Sequence, residues 1–301
     1  MFFDERKLFC FGFGYSAQAL AKRLKAEGGW TIAGTVRSEA SKAALEAEGY
    51  EIHLFDRDHP LEEPDDLFVG VTHVLSSVPP DGDEGSGDPV VDCHGTNLVR
   101  AASLDWVGYL STTGVYGDTR GEEVDETAPL NPSSPRSARR VRAEEAWMDL
   151  KRQRNVPVHV FRLPGIYGPG RSVFDQIREG RAKRIDKPGH LFSRIHVDDI
   201  AKGLHLSMNK PDAGHVFNLT DDQPAPPAYV TFHACQMIGM PAPPLIPFET
   251  ARADMTPMGL SFWSDNRRVS NEKIKRVLGF ELDYPTFKEG LEAVLRSERG
   301  G

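Results

Sequence analysis

Short runs of β-branched and aromatic residues alternate with helix-period patterns over the first 165 residues. Runs at 7–12, 31–36, 51–55, 72–77, 106–110 and 157–163 predict strands. Between the first two, Ala17, Leu20, Ala21 and Leu24 fall at i, i+3, i+4 and i+7, one apolar helical face that closes near Gly28 and Gly29. Ser38 can cap an alanine-rich helix ending at Gly49. The run from Pro79 to Gly87 predicts an acidic mobile loop, and a helix is expected over 89–103. A long polar loop over 118–135 precedes an arginine- and glutamate-rich helix running to about Asn155. This alternation predicts an α/β fold built on a parallel sheet.

Beyond residue 163 the alternation breaks down. Prolines at 188, 224, 226, 227, 241, 243, 244 and 247 punctuate a looser lobe, and helical patterns at 271–278 and 286–295 close the chain. The expected division is a nucleotide-binding domain of 1–165 with 196–222, and a substrate-binding lobe of 166–195 with 223–301. With 301 residues, 39% of them hydrophobic, the chain can bury a sizeable core. No apolar run approaches the ~20 residues that span a bilayer. Met1-Phe2-Phe3 leads straight into charged residues, which argues against a secretory signal and for a cytoplasmic protein. Cys10, Cys93 and Cys235 are far apart and lack metal-ligand spacing, so thiols are expected and no metal. A net charge of −8 argues against nonspecific nucleic-acid binding and favours a small-molecule ligand.

Candidate chemistry starts at Gly12-Phe13-Gly14-Tyr15-Ser16-Ala17, between the first strand and the first helix. Glycines there let backbone amides approach a pyrophosphate at a helix N-terminus, with Ala17 replacing a third glycine where helix and sheet lie close. The second strand ends in Thr35-Val36-Arg37-Ser38, with no acid to accept ribose hydroxyls. A guanidinium fork beside a serine suits a 2′-phosphate, so NADP is favoured over NAD. Asp56, ending the third strand, is placed for the adenine amine. Ser76 and Ser77, ending the fourth, would line the crevice.

The chain resembles the extended short-chain dehydrogenase/reductase family, the epimerases and dehydratases. The resemblance rests on Ser111 to Gly117, on the segment from Arg162 to Gly170, on Ile195 to Ala201, on Phe217-Asn218-Leu219, on Leu278-Gly279-Phe280 and on Gly290-Leu291. It implies a Rossmann-type doubly wound parallel sheet with a small C-terminal substrate lobe. It also implies that Ser111 and Pro164 border the cofactor. Asp198 and Asp199 are expected to cap or brace the helix that begins there.

In that family a Ser or Thr, a Tyr and a Lys cooperate, and Thr112 matches the first. Register from Pro135 and Glu144 puts Arg136 at the tyrosine position and Arg140 at the lysine position. A guanidinium cannot shuttle protons near neutrality, although Arg140 can still hydrogen-bond the ribose. Asp92 stands where a supporting Asn is expected. This departure resembles the atypical members of the family. Tyr116, Tyr167, His190 and His196 are candidate replacements for the missing acid, with Tyr116 and Tyr167 preferred. Thr113, Arg171, Ser172, Arg194 and His196 are candidate substrate contacts, Arg171 and Ser172 because they begin a helix that could receive an anion. The arginines around 136–142 are followed by Glu144, Glu145 and Asp149 at helical spacing, which suggests a salt-bridged face and not an RNA site. The helices near 89–103 and 135–155 are candidates for a homodimer contact. Two functions compete: an NADP-dependent oxidoreductase or epimerase/dehydratase relative with a non-standard site, and a non-catalytic NADP-binding redox sensor or regulator.

Overall fold

The computed structural model describes residues 6–154, 156–210 and 215–299. The charged run after Met1 therefore lies partly outside the described residues, as does Asn155. The chain begins with β1 (Arg6–Phe11), α1 (Tyr15–Glu27), β2 (Trp30–Val36), α2 (Glu39–Ala47), β3 (Glu51–Leu54), α3 (Pro64–Leu67), β4 (His73–Ser76), α4 (Pro89–Arg100) and β5 (Trp106–Thr112). A 3-10 turn, Thr113–Tyr116, leads to β6 (Glu123–Val124), α5 (Pro135–Arg154), β7 (Val158–Leu163), β8 (Gly165–Tyr167), α6 (Val173–Arg178), β9 (Arg184–Asp186) and β10 (Arg194–His196). The remainder is α7 (Val197–Met208), β11 (His215–Asn218), α8 (Pro227–Met237), β12 (Leu245–Pro247), α9 (Phe248–Ala251), α10 (Pro257–Ser264), β13 (Arg268–Val269), α11 (Glu272–Leu278) and α12 (Phe287–Arg299).

Two compact units result. The first comprises 1–112, 135–162 and 200–217, and the second 113–134, 163–199 and 218–301. Unit 1 carries a seven-stranded sheet in the order β11-β7-β5-β4-β1-β2-β3. The pairs β1–β2, β1–β4, β2–β3 and β4–β5 all run parallel. Chain order reverses between β1 and β4, which opens a crevice at the carboxyl ends of those strands. This is the doubly wound architecture that the sequence implies.

Local pattern explains the elements of unit 1. Ala17, Leu20, Ala21 and Leu24 all lie fully buried beneath α1, as their spacing requires. Ser38 caps α2 by accepting from the Ser41 amide. Phe9, Phe11, Phe55 and Phe68 pack edge-to-face on one side of the sheet, where Trp147 of α5 stacks on Tyr109 of β5. The expected loops hold more structure than their composition shows. The polar loop before α5 contains β6, which pairs in parallel with β13.

Unit 2 is more regular than its prolines suggest. It contains the parallel pairs β8–β10, β9–β12 and β6–β13. Phe174, Ile177, Val230, Ala234, Phe287, Leu291 and Val294 form its main core. Some of the prolines stand at helix starts and a strand end, as at α8, α10 and β12, where their missing N–H costs little.

Candidate active site and cofactor cradle

The turn after β1 is shaped by what cannot stand there. Gly12 has φ +81°, and a Cβ on it would lie 2.8 Å from Ser77 Oγ and 3.3 Å from the Val78 amide nitrogen. The Ser77 hydroxyl donates to the Gly12 carbonyl at 2.6 Å, and the Gly12 amide donates to Thr35 Oγ1 at 2.9 Å. Three strand ends are thereby locked around one glycine. Gly14 is the N-cap of α1, with no side-chain cap, no acid in the first turn and open space where a Cβ would project. Tyr15 and Ser16 follow in that first turn. A helix N-terminus with this approach fits an anionic group.

Arg37 is exposed at the end of β2, and its guanidinium has no protein partner among the described residues. Ser38 beside it hydrogen-bonds Ser41 Oγ at 2.9 Å. Asp56 accepts from the amides of Asp58 and His59 and from the His59 ring through one oxygen, and the His59 hydrogen bond leads in holding its carboxyl below the ordinary value. Ser76 Oγ is buried with no partner, an orphan donor at the sheet's carboxyl end. The open turn, the unpartnered guanidinium and the orphan hydroxyl together fit a pyridine dinucleotide.

Thr112 ends β5, while Ser111 before it turns inward. Its hydroxyl donates to Glu144 Oε1 of α5, and Glu144 also pairs with Arg162 of β7 at 2.7 Å, with both charged side chains 5% exposed. Arg140, one turn earlier on α5, donates through Nη1 to the Leu110 carbonyl at 2.6 Å and to the Tyr109 hydroxyl at 3.2 Å. Arg136 is exposed. The buried Ser111–Glu144–Arg162 group goes unread in the sequence, where Glu144 serves for register and as part of a salt-bridged helical face. A glutamate four residues after Arg140, on a helix flanking the strand end, was the available signal.

The remaining predicted residues belong to unit 2. Thr113 is buried in the 3-10 turn. The Tyr116 hydroxyl donates to Asn218 Oδ1 at 2.7 Å in the interior. Tyr167 is sealed against Gly290, where a Cβ would lie 1.9 Å from its oxygen, and the hydroxyl is buried with no hydrogen-bond partner, so burial pushes its pKa up. The structure brings His196 to it: the rings meet edge-on at 5.3 Å, as the β8–β10 register demands. His196 Nε2 is buried and unpartnered, and Tyr284 covers the ring at 4.1 Å. His190 is likewise buried, between Phe192 and Trp263. Pro164 lies between β7 and β8.

Of the three expected anion contacts, Ser172 and Arg194 also hydrogen-bond within the protein. Ser172 caps α6 in a capping box whose own acid, Asp175, accepts from the Ser172 amide and hydroxyl. Arg171 next to it is exposed, and its backbone exchanges hydrogen bonds with Gly168. Arg194 Nη1 donates to the carbonyls of Phe192 and Ala225. Asp199 braces a segment distant in sequence, accepting from the amides of Asp283 and Tyr284. Asp221, unremarked in the sequence, is buried, and burial pushes its pKa up to about 8.

Comparison with known proteins decides the family. A family model described as the NAD dependent epimerase/dehydratase family matches residues 12–220. The chain belongs to that family. Among the relatives of this epimerase/dehydratase member, Protein YeeZ of Escherichia coli (strain K12) is 28% identical over 293 residues, 93% of this chain and 97% of that one. A solved structure described as a functionally unknown conserved protein from Silicibacter pomeroyi DSS is 46% identical, with a TM-score of 0.87, and the match covers 97% of this chain and 98% of that one. UDP-glucuronic acid 4-epimerase from Bacillus cereus, solved in complex with NAD, is 15% identical with a TM-score of 0.75, over 97% of this chain and 99% of that one. At that identity it shares the fold.

Proposed function

We propose that the chain is an NADP-dependent oxidoreductase or epimerase/dehydratase-like enzyme that acts on a small polar substrate with a non-standard proton donor. The observation that carries this reading is Arg37, an exposed guanidinium without a protein partner among the described residues, at the strand end next to the Gly12–Gly14 turn. An unpaired fork there suits a phosphate monoester better than a pair of ribose hydroxyls. When bound, the nicotinamide supplies or takes the hydride. The amides of Gly14, Tyr15 and Ser16 would hold the pyrophosphate, Arg37 and Ser38 the 2′-phosphate, Asp56 the adenine amine, and Ser76 and Ser77 the adjoining ribose. Ser111 and Arg140 keep the β5 end in place, Arg140 also offering its outer nitrogens to the nicotinamide ribose, and Pro164 borders the ring. Thr112 orients the substrate oxygen. Arg136 and Arg140 stay cationic near neutrality, so neither exchanges the proton. That task falls to the Tyr116 or Tyr167 hydroxyl in this reading, and Tyr116 must first release Asn218.

The commitment of the Tyr116 hydroxyl to Asn218 and the burial of the Tyr167 hydroxyl favour the rival, a non-catalytic NADP-binding sensor. Hydride transfer separates the two. Purified protein is offered NADPH with a panel of small ketones and aldehydes, and NADP with the matching alcohols. Turnover above the uncatalysed rate supports the enzyme. Tight NADP binding with no turnover of any of them favours the sensor. A homodimer through α4 and α5 belongs to this reading, and light scattering on the eluting protein tests it.

A further inference from the structure

We propose that the acidic segment 79–88 is a strap over the cofactor turn, closed by ion pairs to Arg57, Arg139 and Arg142, and that its opening sets how fast the dinucleotide enters and leaves. The proposal rests on the cofactor reading above and concerns unit 1 alone.

The segment starts at the cradle. Ser77 donates to the Gly12 carbonyl, and Val78 stands against the same glycine. It ends at Asp88, a fully buried N-cap of α4 that accepts from the amides of Val90 and Val91 and, at 3.1 Å, from Trp147 Nε1 of α5. Between these anchors, after Pro80, the segment reads Asp81-Gly82-Asp83-Glu84-Gly85-Ser86-Gly87 and offers no apolar side chain to a core. What holds it is charge. Asp81 meets Arg57 at 2.8 Å, beyond the end of β3. Asp83 takes a two-pronged contact from Arg139, at 2.8 and 3.1 Å, and a third bond from Arg142 at 2.8 Å. Arg142 also donates to the Asp83 carbonyl at 3.0 Å. Asp92 of α4 closes the circuit, accepting from Arg57 at 2.8 Å and from the Ser86 amide and hydroxyl at 2.9 and 2.7 Å.

The ties thus reach the connection after β3, the start of α4 and the face of α5, and the segment they hold leaves from the carboxyl end of β4 beside Gly12. Asp92 also explains itself: an aspartate can take Arg57, which an asparagine could not pair with as a charge. Such exposed pairs are individually weak and are screened by salt. A segment tied to its neighbours mainly by such pairs, with no apolar side chain in the core, opens without disturbing the core beneath it. Gly85 and Gly87, both at positive φ, let its backbone turn sharply while closed. The expected acidic mobile loop is therefore cross-tied in this structure, and its acidity is what ties it.

The test uses the full chain with NADPH as probe, at salt of about 0.02 M and about 0.5 M. Stopped-flow fluorescence follows association, and displacement by excess NADP gives dissociation. In Asp83→Asn both rates rise about tenfold at low salt while affinity changes little, and the salt dependence of dissociation flattens. Arg57→Gln, which opens the other tie, behaves alike. Asp65→Asn, which removes an exposed partner of Asn97 and Arg100, leaves the rates as they are. Unchanged rates in both strap variants overturn the proposal, as does faster dissociation with unaltered association, which is mere loss of affinity. If wild-type protein binds neither NADPH nor NADH, the cofactor reading falls and the proposal with it. Binding with strap-independent rates overturns the proposal alone.

Discussion

Arg37 and Gly12 place the cofactor argument on two side chains, one of them only a hydrogen. Loss of a charge-assisted hydrogen bond costs about 1.5–3 kcal/mol. Arg37→Ala should therefore weaken NADP binding by about 10- to 100-fold and leave NAD binding close to wild type, as isothermal calorimetry would show. Equal affinity of the wild type for both nucleotides would remove the argument. Gly12→Ala forces a Cβ onto a residue at φ +81° and against Ser77 Oγ. A loss of about 1–3 kcal/mol follows from the strained conformation, seen as a lower urea midpoint together with weaker dinucleotide binding. Both residues are legible in the sequence, because a strand-to-helix turn and a strand end are local events. Asp221 is not. Its environment depends on packing, and nothing in Thr220-Asp221-Asp222 tells which aspartate is buried.

α5 shows how one element carries several duties along its length. Arg139 and Arg142 face the acidic segment, Arg140 holds the β5 carbonyl, and Glu144 goes inward to Arg162 and Ser111. The sequence reading of a self-contained salt-bridged face is thus only partly apt, since these arginines reach other elements. Removing one partner of a buried pair leaves the other uncompensated, which costs about 3–5 kcal/mol. Glu144→Ala should lower stability by that order in urea unfolding. Glu144→Gln, which still accepts hydrogen bonds, should lose less. If Glu144→Ala loses no more than about 1 kcal/mol, the typical cost of an ordinary substitution, the buried pair does not hold α5 to the sheet.

Across the whole molecule, buried histidines should weaken the fold as the pH falls. His73 and His159 sit in an aromatic row with Trp106, and burial pushes each pKa down to about 4. In the unfolded chain each would titrate near 6.5. Their neutral state is common to folded and unfolded chains above that value, so no stability is lost there. As pH falls from about 6.5 toward 4 the unfolded chain takes up protons that the folded one refuses. Stability drops by on the order of 3 kcal/mol per histidine by the end of that window. His159→Phe, which keeps a ring beside Phe161 and Phe217, should lose distinctly less stability than wild type between pH 7 and 4.5. Parallel pH curves for the two proteins would show that His159 does not contribute.

The sheet's class, the helix faces, the glycine turn and the guanidinium beside it are all written in the order of the residues. Each of these depends on side-chain period or on the steric freedom of a few neighbouring residues, so adjacent positions suffice to specify them. Only the tertiary structure decided which charges and hydroxyls pair. Asp83 meets Arg139 across 56 positions, and Tyr116 meets Asn218 across 102. It also turned a proline-rich tail into paired strands and converted a loop of acids into a cross-tied segment. Such partners are selected by sheet register and helix packing, which bring together residues whose local patterns carry no record of one another.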